Sequence, residues 1–209
     1  MIVLSDIIIL FVPFMTFIIS VFFNRNKTPI DTIFSILTGY IFATEIAGTL
    51  IGTYLHFANF FIYNFYCLIF PLLSFRLFYI IIKSKRIRKR IKFLAFILSL
   101  IFIIDNFLNR DLFTGQQYHT YLVSLVFLIY IIYAHLLQLM ASDTVQYFSR
   151  SKSFWISLGL LLFSVPFLPV MITFKFMTIN FEIRMIVTCI LILVMHTSFI
   201  FASLGTKYK

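Results

Sequence analysis

The sequence predicts an all-α, polytopic membrane protein of seven transmembrane helices, N-terminus outside and C-terminus inside, forming one domain over residues 1–209. Three observations predict it. Of 209 residues, 62% are hydrophobic and 11% charged, whereas soluble chains carry about 45–50% apolar and about 25% charged residues. A mean hydropathy of +1.05, with 29 Phe, leaves too little polar surface to face water. Apolar stretches also recur at about 20 residues, the length that crosses about 30 Å of hydrocarbon at about 1.5 Å per residue. Finally, Lys and Arg gather in alternate links between those stretches.

The first stretch is 2–23. Asp6 stands where a signal peptide would carry a basic region, and Phe22-Phe23-Asn24 ends the run without a small-residue cleavage site. It is therefore expected to be a retained helix. Residues 24–28 precede Pro29, a residue suited to a first helical turn, and the second stretch runs over 29–54. A very short turn around His56 and Asn59 leads to the third, 57–82. Residues 83–90 are too charged to be buried and are read as the loop before the fourth stretch, 91–108. A polar link with Gly115 precedes the fifth, 118–141. Polar residues 143–153 precede the sixth, 154–174, and the seventh covers 182–204.

Charge fixes the expected orientation. With the N-terminus outside, the inner face receives thirteen basic residues: Arg25, Lys27, the seven cations of 83–92, Arg150, Lys152, Lys207 and Lys209. The outer face receives three, Arg110, Lys175 and Arg184. This asymmetry is the positive-inside signal, and the expected location is the inner (cytoplasmic) membrane. The run at 83–92 reads first as a topological anchor. Lys85, Arg86, Arg88, Lys89 and Arg90, with Arg150 and Lys152, are also candidates to meet anionic lipid headgroups, at about 1 kcal/mol per cation, or an acidic partner protein. No base-stacking aromatic lies within the run, so nucleic acid is not an expected partner.

Ionisable and polar residues at membrane depth are functional candidates, because an unpartnered charge there is costly. Glu45 leads them, on a second helix whose Gly39, Ala43, Ala47, Gly48 and Thr49 permit close helix approach. Asn64 and Tyr66 on the third helix, Asp105 on the fourth and Tyr121 on the fifth fall toward the same outer end. Together with Glu45 they are expected to line an outward ligand pocket. The competing reading is interhelical hydrogen bonding with an interfacial tyrosine belt. Lower down, His135 and His196 come out at comparable depth, and with Glu45 they could form a proton or ion path. They could equally be satisfied bundle histidines. Pro166 and Pro169 predict a kinked sixth helix.

Cys67 and Cys189 lie in apolar runs and read as buried hydrophobes, with no disulfide framework or metal-ligand spacing. No cofactor or metal is expected. No HExxH, G-x-S-x-G or phosphate-cradling loop occurs, so the chain is not expected to be an enzyme. The seventh helix carries no lysine for a retinal Schiff base.

Several short motifs carry a resemblance: Tyr63-Asn64-Phe65-Tyr66, then Leu77-Phe78-Tyr79-Ile80-Ile81-Ile82-Lys83, then Phe154-Trp155 with Gly159, alongside Glu45. With them the chain resembles small seven-helix membrane proteins of Bacteroidota, a group similar in plan to the membrane-embedded sensor portion of histidine kinases. The resemblance implies sensing. No kinase domain follows Lys209, so signalling is expected to need a separate cytoplasmic or membrane partner. The alternatives are a small transporter or channel using Glu45, or a structural subunit of a membrane complex.

Overall fold

A computed structural model describes residues 2–23, 28–109, 112–113, 115–141, 151–176 and 181–205. Among them are seven α-helices and no strand: α1 Ile2–Phe23, α2 Pro29–Thr49, α3 Phe60–Ile81, α4 Lys85–Asn109, α5 Tyr118–Met140, α6 Lys152–Phe176 and α7 Phe181–Leu204. Six of them, α2 to α7, are long and apolar enough to cross a membrane, and α1 adds a shorter apolar segment, Ile7–Phe23. The chain is thus built as a multi-pass helical membrane protein. Arg25, Lys27, Arg110, Asp143, Arg150, Lys207 and Lys209 lie outside the described residues.

Neighbouring helices close a ring in the order α1, α2, α3, α5, α6, α7 and back to α1. Outside this ring, α4 packs on α3 and α5. Its sequence explains that position. Phe93, Phe96, Ile103, Phe107 and Leu108 are all exposed, Phe107 at 83%. Such a face suits an apolar surrounding, while Ile91, Leu98 and Phe102 turn inward.

Helix ends follow local chemistry. Pro29 occupies the first turn of α2 and Thr28 caps it. The Thr28 hydroxyl accepts from the Asp31 amide while Asp31 accepts from the Thr28 amide, a reciprocal capping box. At the far end α2 passes into a π-helical turn, Leu50–Tyr54, so the helical path ends where the sequence places it but with wider winding.

Two sequence expectations need correction. The basic run is not a loop: residues 85–90 are the first turns of α4. Lys and Arg are good helix formers, and Ile87 and Ile91 pack inward at i, i+4 spacing while Lys85, Arg86, Lys89 and Arg90 stay exposed. Lys152 is likewise not a surface cation. Its side chain is 8% exposed, hydrogen-bonded to Asp31 at 2.5 Å, and its ammonium lies 4.9 Å from the centre of the Phe34 ring. This ion pair joins the N-termini of α2 and α6.

Tight packing fixes the opposite side of the ring. At Gly159 of α6, an added Cβ would sit 2.9 Å from the Met195 carbonyl oxygen and 2.9 Å from Ser198 Cβ of α7. Trp155 packs on Phe201 nearby, ring centres 5.0 Å apart. Between α1 and α2, the Ser20 and Thr38 hydroxyls share a hydrogen bond of 2.8 Å.

Candidate functional site

Within the ring lies a cavity of about 310 Å³, lined by every helix except α4. Each helix contributes one face. From α7 come Arg184, Thr188, Ile192, Met195 and His196, and from α6 come Phe163, Phe167 and Met171. Ile41 and Glu45 stand on α2, with Ile9 and Pro13 on α1. These positions recur every three or four residues, the spacing of one helical stripe. From Arg184 to His196 the stripe climbs twelve residues, roughly 18 Å of helix. The lining residues come from the N-terminal parts of α3, α5 and α7 and the C-terminal parts of α2 and α6. That is one end of the bundle, and the basic start of α4 lies at the other.

Glu45 is the carboxylate of the cavity. Among the described residues its hydrogen-bond partner is the Tyr63 hydroxyl, at 3.4 Å. Tyr63 reaches it because Gly48 has no side chain: a Cβ there would lie 2.5 Å from the Tyr63 hydroxyl oxygen. Asn59 fastens the same corner by donating to the Gly48 carbonyl at 3.0 Å. Tyr66 and Tyr121 line the cavity with Glu45. Tyr66 is held by stacking, 6.0 Å from Tyr40 and 5.1 Å from Phe70. Tyr121 meets Phe167 edge-on at 5.7 Å. At the deep end His196 is fully buried, its Nδ1 3.0 Å from the Thr16 hydroxyl and its Nε2 without a hydrogen-bond partner.

Of the five residues expected to bind a ligand, the structure thus brings Glu45, Tyr66 and Tyr121 together. Asn64 and Asp105 are engaged elsewhere. Fully buried Asn64 donates to the Leu112 and Gly115 carbonyls at 3.1 and 2.8 Å and accepts from the Gln117 amide at 3.0 Å. It therefore ties down the α4–α5 link, which sets Gln116 into the cavity wall. Asp105 accepts from the Thr120 amide and hydroxyl at 3.1 and 2.9 Å and lies 3.1 Å from His119 Nδ1. An anion there caps the start of α5 and latches α4 to the ring. Both residues shape the site from behind without lining it.

The histidine pair is also divided. His196 shares the cavity with Glu45, whereas His135 is buried against Phe78, ring centres 5.6 Å apart, and lines no part of it. A path through Glu45, His135 and His196 is therefore not assembled as one chain of groups.

At the basic end, Arg88 donates to the Ile82 carbonyl, and its guanidinium lies 5.5 Å from the Tyr79 ring centre. Arg76 and Lys92 approach the same ring at 5.7 and 5.1 Å. Arg90 donates to the Tyr130 hydroxyl at 2.8 Å. Lys85, Arg86 and Lys89 remain exposed as a cationic surface.

Arg184, Thr188, Gln116 and the α6 aromatics were not among the sequence candidates. Stepping back by four from His196 gives Ile192, Thr188 and Arg184, so the stripe was readable once one deep polar residue was taken as its anchor. No family model, curated protein or solved structure matches this chain, so the site rests on its own residues.

Proposed function

We propose that this chain is a seven-helix, receptor-like sensor of the cytoplasmic membrane, N-terminus outside, that binds a small ligand in its central cavity. Binding changes the packing of the ring helices, and a separate signalling protein meets that change at the cationic start of α4. The observation that carries this reading is the convergence of Glu45, Tyr66 and Tyr121, from three helices, on one cavity opposite the basic end. A volume near 310 Å³ matches the lower range of small-molecule sites, about 300–1,000 Å³. The likeness to Bacteroidota seven-helix proteins supports a sensory role, as does the positive-inside distribution for the orientation.

A second reading, a proton or ion transporter, is favoured by one fact: Glu45 and His196 face the same cavity. Two measurements separate the readings. Reconstituted into liposomes under a pH gradient, the sensor leaves the gradient intact. Purified from its native membrane, it carries a signalling protein at fixed stoichiometry, which reversal of Lys85, Arg86 and Lys89 to Glu removes. A gradient that collapses through the wild type and survives with Glu45→Gln would replace sensing by transport.

A further inference from the structure

We propose that the cavity ligand is a small organic cation, an amine or quaternary ammonium with an apolar body, held by Glu45 inside a cluster of tyrosine rings. This rests on the reading of the cavity as a ligand site and adds its chemical class. The argument begins with charge. The ion pairs His119–Asp105 and Lys152–Asp31 do not involve Glu45, and its hydrogen bond from Tyr63 is long at 3.4 Å. A carboxylate in a largely apolar bundle, with one weak donor, has unused acceptor capacity that a cationic donor would fill.

The surroundings point the same way. Tyr63, Tyr66 and Tyr121 line the cavity beside Glu45, and Phe167 packs on Tyr121. Aromatic rings attract cations at distances up to about 6 Å, and a carboxylate among tyrosines is chemically suited to an ammonium group. Two prolines also interrupt the helix ladders beside the cavity. Pro13 and Pro71 have no N–H to offer the carbonyls four residues before them, those of Ile9 and Cys67. Both of these residues line the cavity.

Beyond the polar group the walls turn apolar: Ile41, Phe163, Met171, Ile192 and Met195. They would take a hydrocarbon or aromatic body. A monocation with one apolar end matches one carboxylate beside apolar walls.

The test is a matched ligand series on purified, detergent-solubilised protein, read by calorimetry and thermal shift. Phenethylamine, hexylamine and benzyltrimethylammonium are compared with phenethyl alcohol, hexanol and phenylpropanoate. The cations should bind at least tenfold more tightly than their neutral and anionic counterparts. Glu45→Gln should remove that preference, and Tyr133→Phe, at an exposed position on α5 outside the cavity, should leave it in place. If neutral and cationic members bind equally, the cavity remains a ligand site and the cation assignment is overturned. If no member binds in competition with another at this cavity, the ligand-site reading fails with it. Because the series reads charge preference on the wild type, the outcome stands even where Glu45→Gln does not fold.

Discussion

At the residue scale, the sequence exposes a costly side chain more readily than its partner. Glu45 stands out because a carboxyl interrupts an apolar run, and it does reach the cavity. Asn64 and Asp105 stand out for the same reason, yet their partners lie across a link, 48 to 53 residues away for Asn64 and 15 for Asp105. No local pattern reveals such pairings. Lys152 shows the opposite error, a cation assigned to the surface that is buried against Asp31, 121 residues away. Removing one member of a buried ion pair leaves the other uncompensated, at about 3–5 kcal/mol, whereas replacing both by apolar groups is often neutral. Lys152→Met should therefore lower thermal stability in detergent strongly. The double variant Asp31→Leu, Lys152→Met should recover most of the loss, less about 1 kcal/mol for the missing α2 cap. A double variant no more stable than Lys152→Met would show that the pair is not the source of the cost.

At the scale of elements, all seven helices were legible because hydrocarbon thickness dictates their length. Their ends were less so. The start of α4 lies six residues earlier than expected, since charge was taken to end a helix when it ends only burial. Contacts between elements leave a fainter trace, and Gly159 is the clearest case. Its missing Cβ lets α6 approach the backbone of α7, where the obstruction is a carbonyl oxygen that cannot rotate away. At Gly39 the obstruction is the Phe17 ring, 2.8 Å from an added Cβ, and a side chain can yield. Gly159→Ala should thus cost about 1–3 kcal/mol, the usual range for overpacking. Gly39→Ala should cost clearly less. Thermal melts of the two variants side by side decide this, and an equal loss would mean that α6 and α7 can move apart freely.

At the scale of the whole molecule, six helices close a ring and the seventh in space, α4, lies outside it with its phenylalanines toward lipid. The cavity occupies one end of the ring and the cationic surface the other, so orientation decides what each can meet. The proposed orientation puts the α2–α3 and α4–α5 links outside and the start of α4 in the cytoplasm. Single cysteines can read it, in a background with Cys67 and Cys189 replaced by Ala. Phe57, 70% exposed in the α2–α3 link, and Lys85, exposed at the start of α4, are suitable positions because neither supports packing. In intact cells a membrane-impermeant maleimide should label Phe57→Cys at once and Lys85→Cys only after permeabilisation. The reverse pattern would put the cavity toward the cytoplasm and the cationic surface outside. An external ligand could not then enter from the cavity end, and the basic helix start could not meet a cytoplasmic partner. Both halves of the receptor reading would fall together, because each depends on the same single fact about which way the bundle points.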